Sequence, residues 1–292
     1  MDHLFRSLMF VPANNEHLMD NASFKFKPDI FLFDVEDSVP PTEKQAAREN
    51  IVKYINAGKF DGKSVYPRIN DRESGELLHD VYQLTIPGVE GFMYPKSTSG
   101  DDVYFIDKLL ETIEYDKHIP IGTFKLIPLI ETTGAIVNLK DICTASPRVV
   151  AIAFGCEDYV TDLHGLHDLE SNSIFAARSS IAITARACGV LPIDTVHVRV
   201  HDLEDLEKNC ELGRSLGFEG MLALNPKELP IIHKYYTPTK EEYEDAKEMC
   251  RLQDEAIAEG KGVVMKEGKF IGPPFLKRAR QIIKKYELVR ED

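Results

Sequence analysis

Two acidic residues stand just past two neighbouring apolar runs in the middle of the chain. Glu131 directly follows the run 125–130, and Asp158 comes soon after the run 149–154. Short, continuous apolar runs bounded by turn residues are typical of strands that are buried on both faces. Ligands of an α/β fold bind where the carboxyl ends of such strands meet. We therefore interpret Glu131 and Asp158 as a pair that can meet on one hard divalent cation.

The oxygen ligands of this pair favour Mg²⁺. That ion binds through one or two carboxylates, keeps several waters and takes its remaining ligands from a substrate. A 2-keto acid would chelate it through a carboxylate and a carbonyl oxygen, and the ion would stabilise an enolate or alkoxide as a Lewis acid. The alternative, that each acid only caps the helix after it, applies to either residue alone. Their matching positions on neighbouring strands favour the ligand interpretation.

Other polar residues follow further predicted strands in the same way. They are Asp34, Glu36, Asp37, Arg68, Asn70, Lys96 and Asn225. Arg68 has a planar guanidinium that can clamp a substrate carboxylate, although it could instead pair with a structural carboxylate. Asp34 and Glu36 are either solvated caps or residues that support the metal ligands. This edge of the fold is thus expected to be rich in carboxylates, with a few cations for anionic groups.

The overall charge argues against polyanionic partners. The 292 residues carry a net charge of −13, so nucleic acid and anionic membranes are disfavoured, whereas a small anionic substrate is compatible with a local arginine or metal. No apolar stretch approaches the ~20 residues that span a bilayer. The first residues lack the pattern of a signal peptide. The five cysteines form no CxxC, which favours reduced thiols in a cytoplasmic protein over disulfides or zinc.

Eight apolar runs alternate with helical patterns along most of the chain. The predicted strands are 8–11, 30–33, 65–69, 91–94, 126–130, 149–154, 195–198 and 221–224, and helices are predicted from residue 42 and over 102–112, 175–188 and 203–216. Alternation of this kind indicates parallel βαβ units, and eight of them predict a (β/α)8 TIM barrel. A doubly wound open sheet is the alternative, although no GxGxxG follows the first strand.

The pattern changes near residue 238. A helix to about residue 259, a hairpin over 263–271 that turns at Glu267–Gly268, and a last basic helix over 275–286 are predicted there. We therefore expect a TIM-barrel domain over 1–237. We expect residues 238–292 to form a C-terminal extension that packs on the barrel or on a neighbouring subunit.

Eight short motifs together resemble the citrate lyase β-subunit-like family, within the HpcH/HpaI aldolase group. They are RSLMFVP at 6–12, DVEDSVP at 34–40, PRIN at 67–70, YPK at 94–96, IETTGA at 130–135, FGCEDY at 154–159, LGFEG at 216–220 and GKG at 260–262. The resemblance runs in order from about residue 5 to 285. It implies a TIM barrel that forms a trimer or hexamer, either alone or as a subunit of a lyase complex. It also implies cleavage or formation of a carbon–carbon bond between a coenzyme A thioester and a 2-keto acid, with citryl-, malyl- and citramalyl-CoA as the usual substrates.

The resemblance also implies roles for individual residues. The predicted site comprises Arg68, Asp34 and Glu36 as catalytic residues, Arg6, Arg68 and Glu131 for the substrate, Arg6 and Lys96 for coenzyme A, and Glu131 and Asp158 for Mg²⁺. Three positions depart from the family pattern. Asn225 replaces a usual histidine, Met221 a common lysine, and Gly272 falls where the family supplies an acid/base aspartate to a neighbouring site.

Three functions therefore stay open. The first is a Mg²⁺-dependent lyase or synthase of coenzyme A thioesters, which Arg6 and the extent of the resemblance favour. The second is a class II aldolase that acts on a free 2-keto acid. The third is a binding subunit without its own acid/base. Gly272 favours the second and third, because loss of a positioned acid/base typically lowers a rate ~10²–10⁴-fold.

Overall fold

The computed structural model describes residues 4–166, 172–258, 264–266 and 269–291. It divides into two compact units. One is Phe5–Ile232, and the other combines Met1–Leu4 with His233–Asp292. This division lies slightly before the predicted boundary at residues 237 and 238. Each unit is described separately below.

The larger unit contains one sheet of eight parallel strands. These are β1 Ser7–Pro12, β2 Ile30–Asp34, β3 Ser64–Val65, β4 Gly91–Tyr94, β5 Lys125–Ile130, β6 Ala151–Phe154, β7 Leu191–Asp194 and β8 Gly220–Ala223. Their order in the sheet is β3-β2-β1-β8-β7-β6-β5-β4. Strands that are neighbours in this order are consecutive in the sequence, except that β1 pairs with β8. Pairing of the first strand with the last is the arrangement of a barrel.

The barrel closes through the segment after β3. Arg68 bridges to Asp34 on one side and to Met93 on the other, both in parallel sense. The Arg68 N–H donates to the Phe33 carbonyl at 2.8 Å, and the Met93 N–H donates to the Pro67 carbonyl at 2.9 Å. Pro67 has no N–H to donate, which explains why the regular strand is shorter than the predicted one. The predicted (β/α)8 barrel is confirmed.

Helices lie between the barrel strands and after the last of them. They are α1 Glu16–Phe24, α2 Lys44–Asn56, α3 Leu77–Leu84, α4 Gly100–Asp116, α5 Thr133–Val137, α6 Leu139–Thr144, α7 Cys156–Asp162, α8 Asn172–Cys188, α9 Leu203–Leu216 and α10 Leu229–Tyr236. The helices predicted from residue 42 and over 102–112, 175–188 and 203–216 are confirmed. Gly217 ends α9 in the left-handed region, with a φ of 98°, which glycine adopts without strain.

The seventh strand was predicted at the wrong place. The sequence favoured 195–198, but β7 is Leu191–Asp194, and the predicted segment follows it as a loop. The sequence did not indicate this strand because it contains Pro192, and proline is normally excluded from central strands. Here its carbonyl still accepts a hydrogen bond from the Glu219 N–H at 2.8 Å, so the strand keeps a neighbour on that side.

The barrel interior is filled by apolar side chains from the strands and their flanking residues. These include Phe5, Leu8, Ile30, Leu32, Tyr66, Met93, Ile127, Leu129, Ala151, Ala153, Ile193 and Leu222, all buried. Because this interior is solid, ligands are confined to the barrel ends. Gly220 sits where β8 meets β1, and a Cβ there would lie 1.8 Å from the Phe5 carbonyl oxygen, so only glycine fits.

The smaller unit is a helical hairpin with a short β-hairpin. Its elements are α11 Lys240–Ala258, β9 Val264–Lys266, β10 Lys269–Ile271 and α12 Pro273–Glu291. β9 and β10 are antiparallel, which confirms the predicted hairpin, while its predicted turn at Glu267–Gly268 lies outside the described residues. The rings of Tyr243 and Tyr286 stack at 4.3 Å between α11 and α12. The predicted packing of this extension stays a prediction.

In the parts of the chain that the structure describes, we find no helix with both the length and the apolar character needed to cross a bilayer.

Candidate active site

A cavity of about 400 Å³ opens at the carboxyl ends of the barrel strands. Its lining consists of Phe10, Pro12, Asp34, Asp37, Ser38, Arg68, Leu129, Glu131, Phe154, Gly155, Cys156, Glu157, Asp158, Val196, Leu222 and Leu224. Four residues of the predicted site are therefore brought together: Asp34, Arg68, Glu131 and Asp158. The other three, Arg6, Glu36 and Lys96, are not among the described residues that line it.

Glu131 is held firmly at the end of β5. Its side chain is buried, and its Oε1 accepts a hydrogen bond from the Lys96 N–H at 2.5 Å. Gly155, at the end of β6, makes room for it, because a Cβ at that position would lie 2.9 Å from the Glu131 Cβ and 3.0 Å from its Oε2. The sequence marked Gly155 only as a turn residue. Its spacing after the second apolar run is the one signal that could have linked it to Glu131.

Asp158 lies in the first turn of α7, where it lines the cavity but is more exposed to solvent than Glu131. It accepts no hydrogen bond from the described residues. Neither acid acts as a helix cap: the Thr132 hydroxyl caps α5 by accepting the Ala135 N–H at 3.1 Å, and Gly155 occupies the cap position of α7. The capping alternative considered for both acids is therefore excluded.

The electrostatics of this pair favour a bound cation. Burial raises the pKa of Glu131 to about 7, and the charge of Asp158 contributes to the increase. The pKa of Asp158 is also raised, by burial and then by the charge of Asp37. A raised pKa means that the environment of each carboxylate does not fully compensate its negative charge. A divalent cation bound between the two would supply the missing positive charge.

The donor set fits Mg²⁺ better than a fully protein-ligated metal. No group of three or more His, Cys, Asp or Glu in the described part of the chain has the arrangement of a metal cage. Mg²⁺ does not need one, because it retains waters and accepts substrate oxygens beside one or two carboxylates. Glu131 and Asp158 are the residues that could hold it.

Arg68 is locked to Asp34 beside the acid pair. Its Nε and Nη2 donate to the two carboxylate oxygens of Asp34 at 2.8 and 2.7 Å. Burial acts to raise the pKa of Asp34, but the hydrogen bonds and charge of Arg68 prevail and hold that pKa below its usual value. The guanidinium also lies over the Phe10 ring, at 4.8 Å from the centroid. A substrate carboxylate would therefore have to use the other edge of the guanidinium, formed by Nη1 and Nη2.

Two more carboxylates surround that edge. The Nη1 of Arg68 lies 3.0 Å from the Glu36 Oε2 and 3.4 Å from the Asp37 Oδ2. Burial raises the pKa of Glu36 to about 8; Arg68 opposes this increase, whereas the charges of Asp37, Glu131 and Asp34 reinforce it. Glu36 is thus a buried carboxyl that keeps its proton near neutral pH.

We expect this protonated carboxyl to shape the pH dependence of stability. A folded-state pKa of about 8 for Glu36, above its ordinary value of 4.5, means that the folded chain holds the proton more tightly than the unfolded one. The stability that this contributes is complete below about pH 4.5 and is lost as pH rises through about 8. In thermal unfolding of metal-free protein, the Tm of Glu36→Gln relative to the wild type should therefore increase from pH 5 to pH 9. A constant Tm difference would show that Glu36 titrates as it does in water.

Lys96 takes part in the site through its backbone. Its φ of 49° lies in the left-handed region, which is strained for a lysine, and this conformation presents its N–H to Glu131. Its ammonium is bound to the Asp71 Oδ2 at 2.6 Å and lies 3.7 Å from the Glu36 Oε1. The predicted role in coenzyme A binding stays a prediction, and in this arrangement the ammonium is already paired.

Arg6 lies apart from this cluster. It immediately precedes β1 and is buried, so it stands at the amino end of the barrel, opposite the cavity. Its Nε and Nη2 donate to the carboxylate of Asp29, at 2.9 and 2.7 Å, just before β2. The structure does not bring Arg6 to the acid pair, and this placement argues against the predicted contacts with substrate and coenzyme A.

Sequence reasoning missed a buried lysine behind the site. The Nζ of Lys44 donates to the carbonyls of Val35 and Glu36 at 2.9 and 2.8 Å, and to the Asn70 Oδ1 at 2.6 Å. These bonds fix the loop that follows β2 and so position the carboxylates around Arg68. The sequence placed Lys44 correctly at a helix start, but nothing in the pattern showed that it points inward.

The chain matches the family model described as HpcH/HpaI aldolase/citrate lyase over residues 6–226. It is 33% identical to the citrate lyase subunit beta of Haemophilus influenzae, over 97% of both chains. It is 27% identical to the L-malyl-CoA/beta-methylmalyl-CoA lyase of Cereibacter sphaeroides, over 97% of this chain and 95% of that protein. The crystal structure of CitE from Mycobacterium tuberculosis, in complex with magnesium, acetoacetate and coenzyme A, has a similar fold, with a TM-score of 0.77 and 24% identity over 98% of this chain and 100% of that one.

Proposed function

The chain belongs to the HpcH/HpaI aldolase/citrate lyase family, and we propose that it is a Mg²⁺-dependent carbon–carbon lyase acting on the coenzyme A thioester of a 3-hydroxy acid. The predicted lyase class agrees with the names of its relatives. The observation that carries the proposal is the pair Glu131 and Asp158, two carboxylates with raised pKa values at one barrel opening beside Arg68. The products are acetyl-CoA and a 2-keto acid.

Each residue of the site has a distinct part in this proposal. Glu131 and Asp158 hold Mg²⁺, which supplies Lewis-acid stabilisation of the keto-acid oxygens when bound. The Nη1 edge of Arg68 binds the keto-acid carboxylate. Asp34 is a positioning residue, because its bidentate ion pair fixes the plane of that guanidinium.

The protonation of Glu36 serves the same arrangement. With a pKa of about 8, its carboxyl is largely neutral at pH 7, so it leaves the Nη1 of Arg68 available to an anion. Lys96 orients Glu131 through its N–H. We assign Arg6 no role in this proposal, since it lies at the other end of the barrel.

The reaction can be tested directly. Malyl-, citramalyl- and citryl-CoA are each incubated with the protein in Mg²⁺ or in excess chelator, and release of the keto acid is followed with a coupled dehydrogenase. We expect release from at least one thioester in Mg²⁺ and none in chelator. Absence of release from all three, together with no condensation of acetyl-CoA with a keto acid, would refute the proposal.

A second candidate is a class II aldolase that acts on a free 2-keto acid. It is favoured by Gly272, which directly precedes α12 at the position where the family resemblance implied an acid/base aspartate. Mg²⁺-dependent addition of pyruvate to an aldehyde, without coenzyme A, would identify it. Binding of keto acids without any turnover would instead support a non-catalytic subunit.

Replacement of Gly272 by aspartate tests whether the chain lacks a proton donor at this position. If this position lacks a proton donor, wild-type turnover of the thioester should be slow, and Gly272→Asp should raise kcat by up to ~10²-fold. Gly272→Asn is the matched control, because asparagine caps a helix as well as aspartate does but cannot transfer a proton. Fast turnover by the wild-type protein would show that the proton comes from another group.

We further propose that the chain is cytoplasmic and forms a homotrimer or homohexamer. The five cysteines are all free thiols, as expected in a reducing compartment. Sedimentation equilibrium gives the number of subunits, and a monomer at micromolar concentration would contradict the assignment.

A further inference from the structure

The lining of the cavity is strongly unbalanced in charge. It contains five carboxylates, from Asp34, Asp37, Glu131, Glu157 and Asp158, and a single guanidinium, from Arg68. That guanidinium is already within ion-pair distance of Asp34 and Asp37. One bound Mg²⁺ would offset only part of this charge. The cavity therefore offers one place for a substrate carboxylate, at the metal and Arg68.

Among the described residues, two lysines near the site, Lys96 and Lys44, are already bonded to other groups. The Lys96 ammonium is bonded to Asp71, and neither residue is among the described residues lining the cavity. The Lys44 ammonium is buried and donates to three acceptors below the loop after β2. A second carboxylate on the keto acid would thus meet carboxylates rather than a cation, and like charges at a binding surface oppose association.

The rest of the lining is uncharged and mostly apolar. Seven apolar residues contribute to it, Phe10, Pro12, Leu129, Phe154, Val196, Leu222 and Leu224, together with the uncharged Ser38, Gly155 and Cys156. Leu129 and Leu222 are each 2% exposed and come from the barrel core, and Phe10 packs against the guanidinium of Arg68. An apolar wall beside the carboxylate site suits an alkyl substituent and offers nothing to a charged one.

We propose that the site selects a 2-keto monocarboxylate with a small alkyl group, of which pyruvate is the simplest, over a 2-keto dicarboxylate. The inference rests on the proposed function and narrows it. The corresponding thioester carries a tertiary hydroxyl carbon with one free carboxylate and one methyl group, rather than two carboxylate arms. This preference would separate the chain from a lyase that releases oxaloacetate.

Calorimetric titration of the Mg²⁺-loaded protein tests the preference without requiring turnover. The probes are pyruvate, freshly prepared oxaloacetate, and the 4-methyl ester of oxaloacetate, which retains the added length but has no second charge. We expect oxaloacetate to bind at least about tenfold more weakly than pyruvate, and the ester to recover most of the difference. Equal or tighter binding of oxaloacetate would overturn the inference. Rejection of the ester along with oxaloacetate would overturn the charge argument in favour of size.

Two isosteric variants test whether the negative charge of the lining causes this preference. Asp37→Asn and Glu157→Gln each remove one negative charge from the lining without changing its shape, and should lower the ratio of oxaloacetate to pyruvate dissociation constants several-fold. Glu211→Gln, on the exposed side of α9, is the matched control and should leave the ratio unchanged. An unchanged ratio in both lining variants would contradict the inference.

The same titrations distinguish failure of the proposed selectivity from failure of the proposed lyase function. Binding of both keto acids with equal affinity would overturn the selectivity and leave the metal-dependent lyase standing. Failure of every keto acid to bind in Mg²⁺ would overturn both.

Discussion

Glu131→Gln and Asp158→Asn should each abolish the Mg²⁺-dependent activity, with kcat/KM falling on the order of 10³-fold or more. This magnitude follows from the several kcal/mol of transition-state stabilisation that a metal supplies, since each 1.36 kcal/mol corresponds to a factor of ten. Either change removes one of the two protein ligands that we propose for the ion. The amide that replaces the carboxylate keeps its shape but binds Mg²⁺ far more weakly.

The two variants should differ in stability, which allows loss of metal to be separated from loss of fold. Glu131 is buried with a pKa raised to about 7, so an uncharged glutamine should stabilise the metal-free protein at pH 8. Asp158 is more exposed than Glu131, and its pKa is also raised, so its replacement should increase the Tm of the metal-free protein by a smaller amount. In both variants, added Mg²⁺ should no longer raise the Tm.

Glu211→Gln again serves as the control for the acid-to-amide change, because it lies on the exposed side of α9 and should retain both the activity and the Mg²⁺ shift. Wild-type Mg²⁺ affinity in either site variant would show that the residue in question is not a ligand.

The barrel and its acid pair could be predicted because both depend on local pattern. Alternation of buried strands and helices specifies parallel βαβ units, and a strand's direction specifies which end a following residue occupies. That rule placed Glu131 and Asp158 at one opening. The same rule, applied to Arg6, would have placed it at the opposite end, since it precedes its strand; the prediction for Arg6 came instead from resemblance and did not weigh this position.

Features that depend on contacts between distant segments could not be read in this way. Pro192 concealed β7 because a proline in a central strand is tolerated only when neighbouring strands supply the missing contacts. Glycine is required at position 155 because a side chain there would collide with Glu131. Lys44 can be buried because carbonyls on another segment accept its hydrogen bonds. In each case the local pattern is ambiguous and the tertiary neighbour decides.

Arg68→Lys should raise the KM for the keto acid about 10–100-fold. A charge-assisted hydrogen bond contributes about 1.5–3 kcal/mol, and lysine keeps the charge but loses the planar edge that binds a carboxylate through two bonds. The kcat should fall less than in the metal-ligand variants, because the metal site is retained. The KM is measured at saturating Mg²⁺ and thioester, in the direction of condensation. An unchanged KM would assign Arg68 a purely structural role.

The same substitution should also destabilise the barrel, because Asp34 is 1% exposed and would lose its two hydrogen bonds from the guanidinium. Breaking a buried ion pair typically costs about 3–5 kcal/mol, so the Tm of Arg68→Lys should fall clearly. Asp34→Asn separates the two effects. It keeps the guanidinium but weakens its anchor, so the KM should rise by a smaller factor than in Arg68→Lys. If Asp34 acts only by positioning Arg68, the double variant should have the KM of Arg68→Lys alone, because the partner through which Asp34 acts is already absent. A further rise in KM in the double variant would mean that Asp34 contacts the substrate itself.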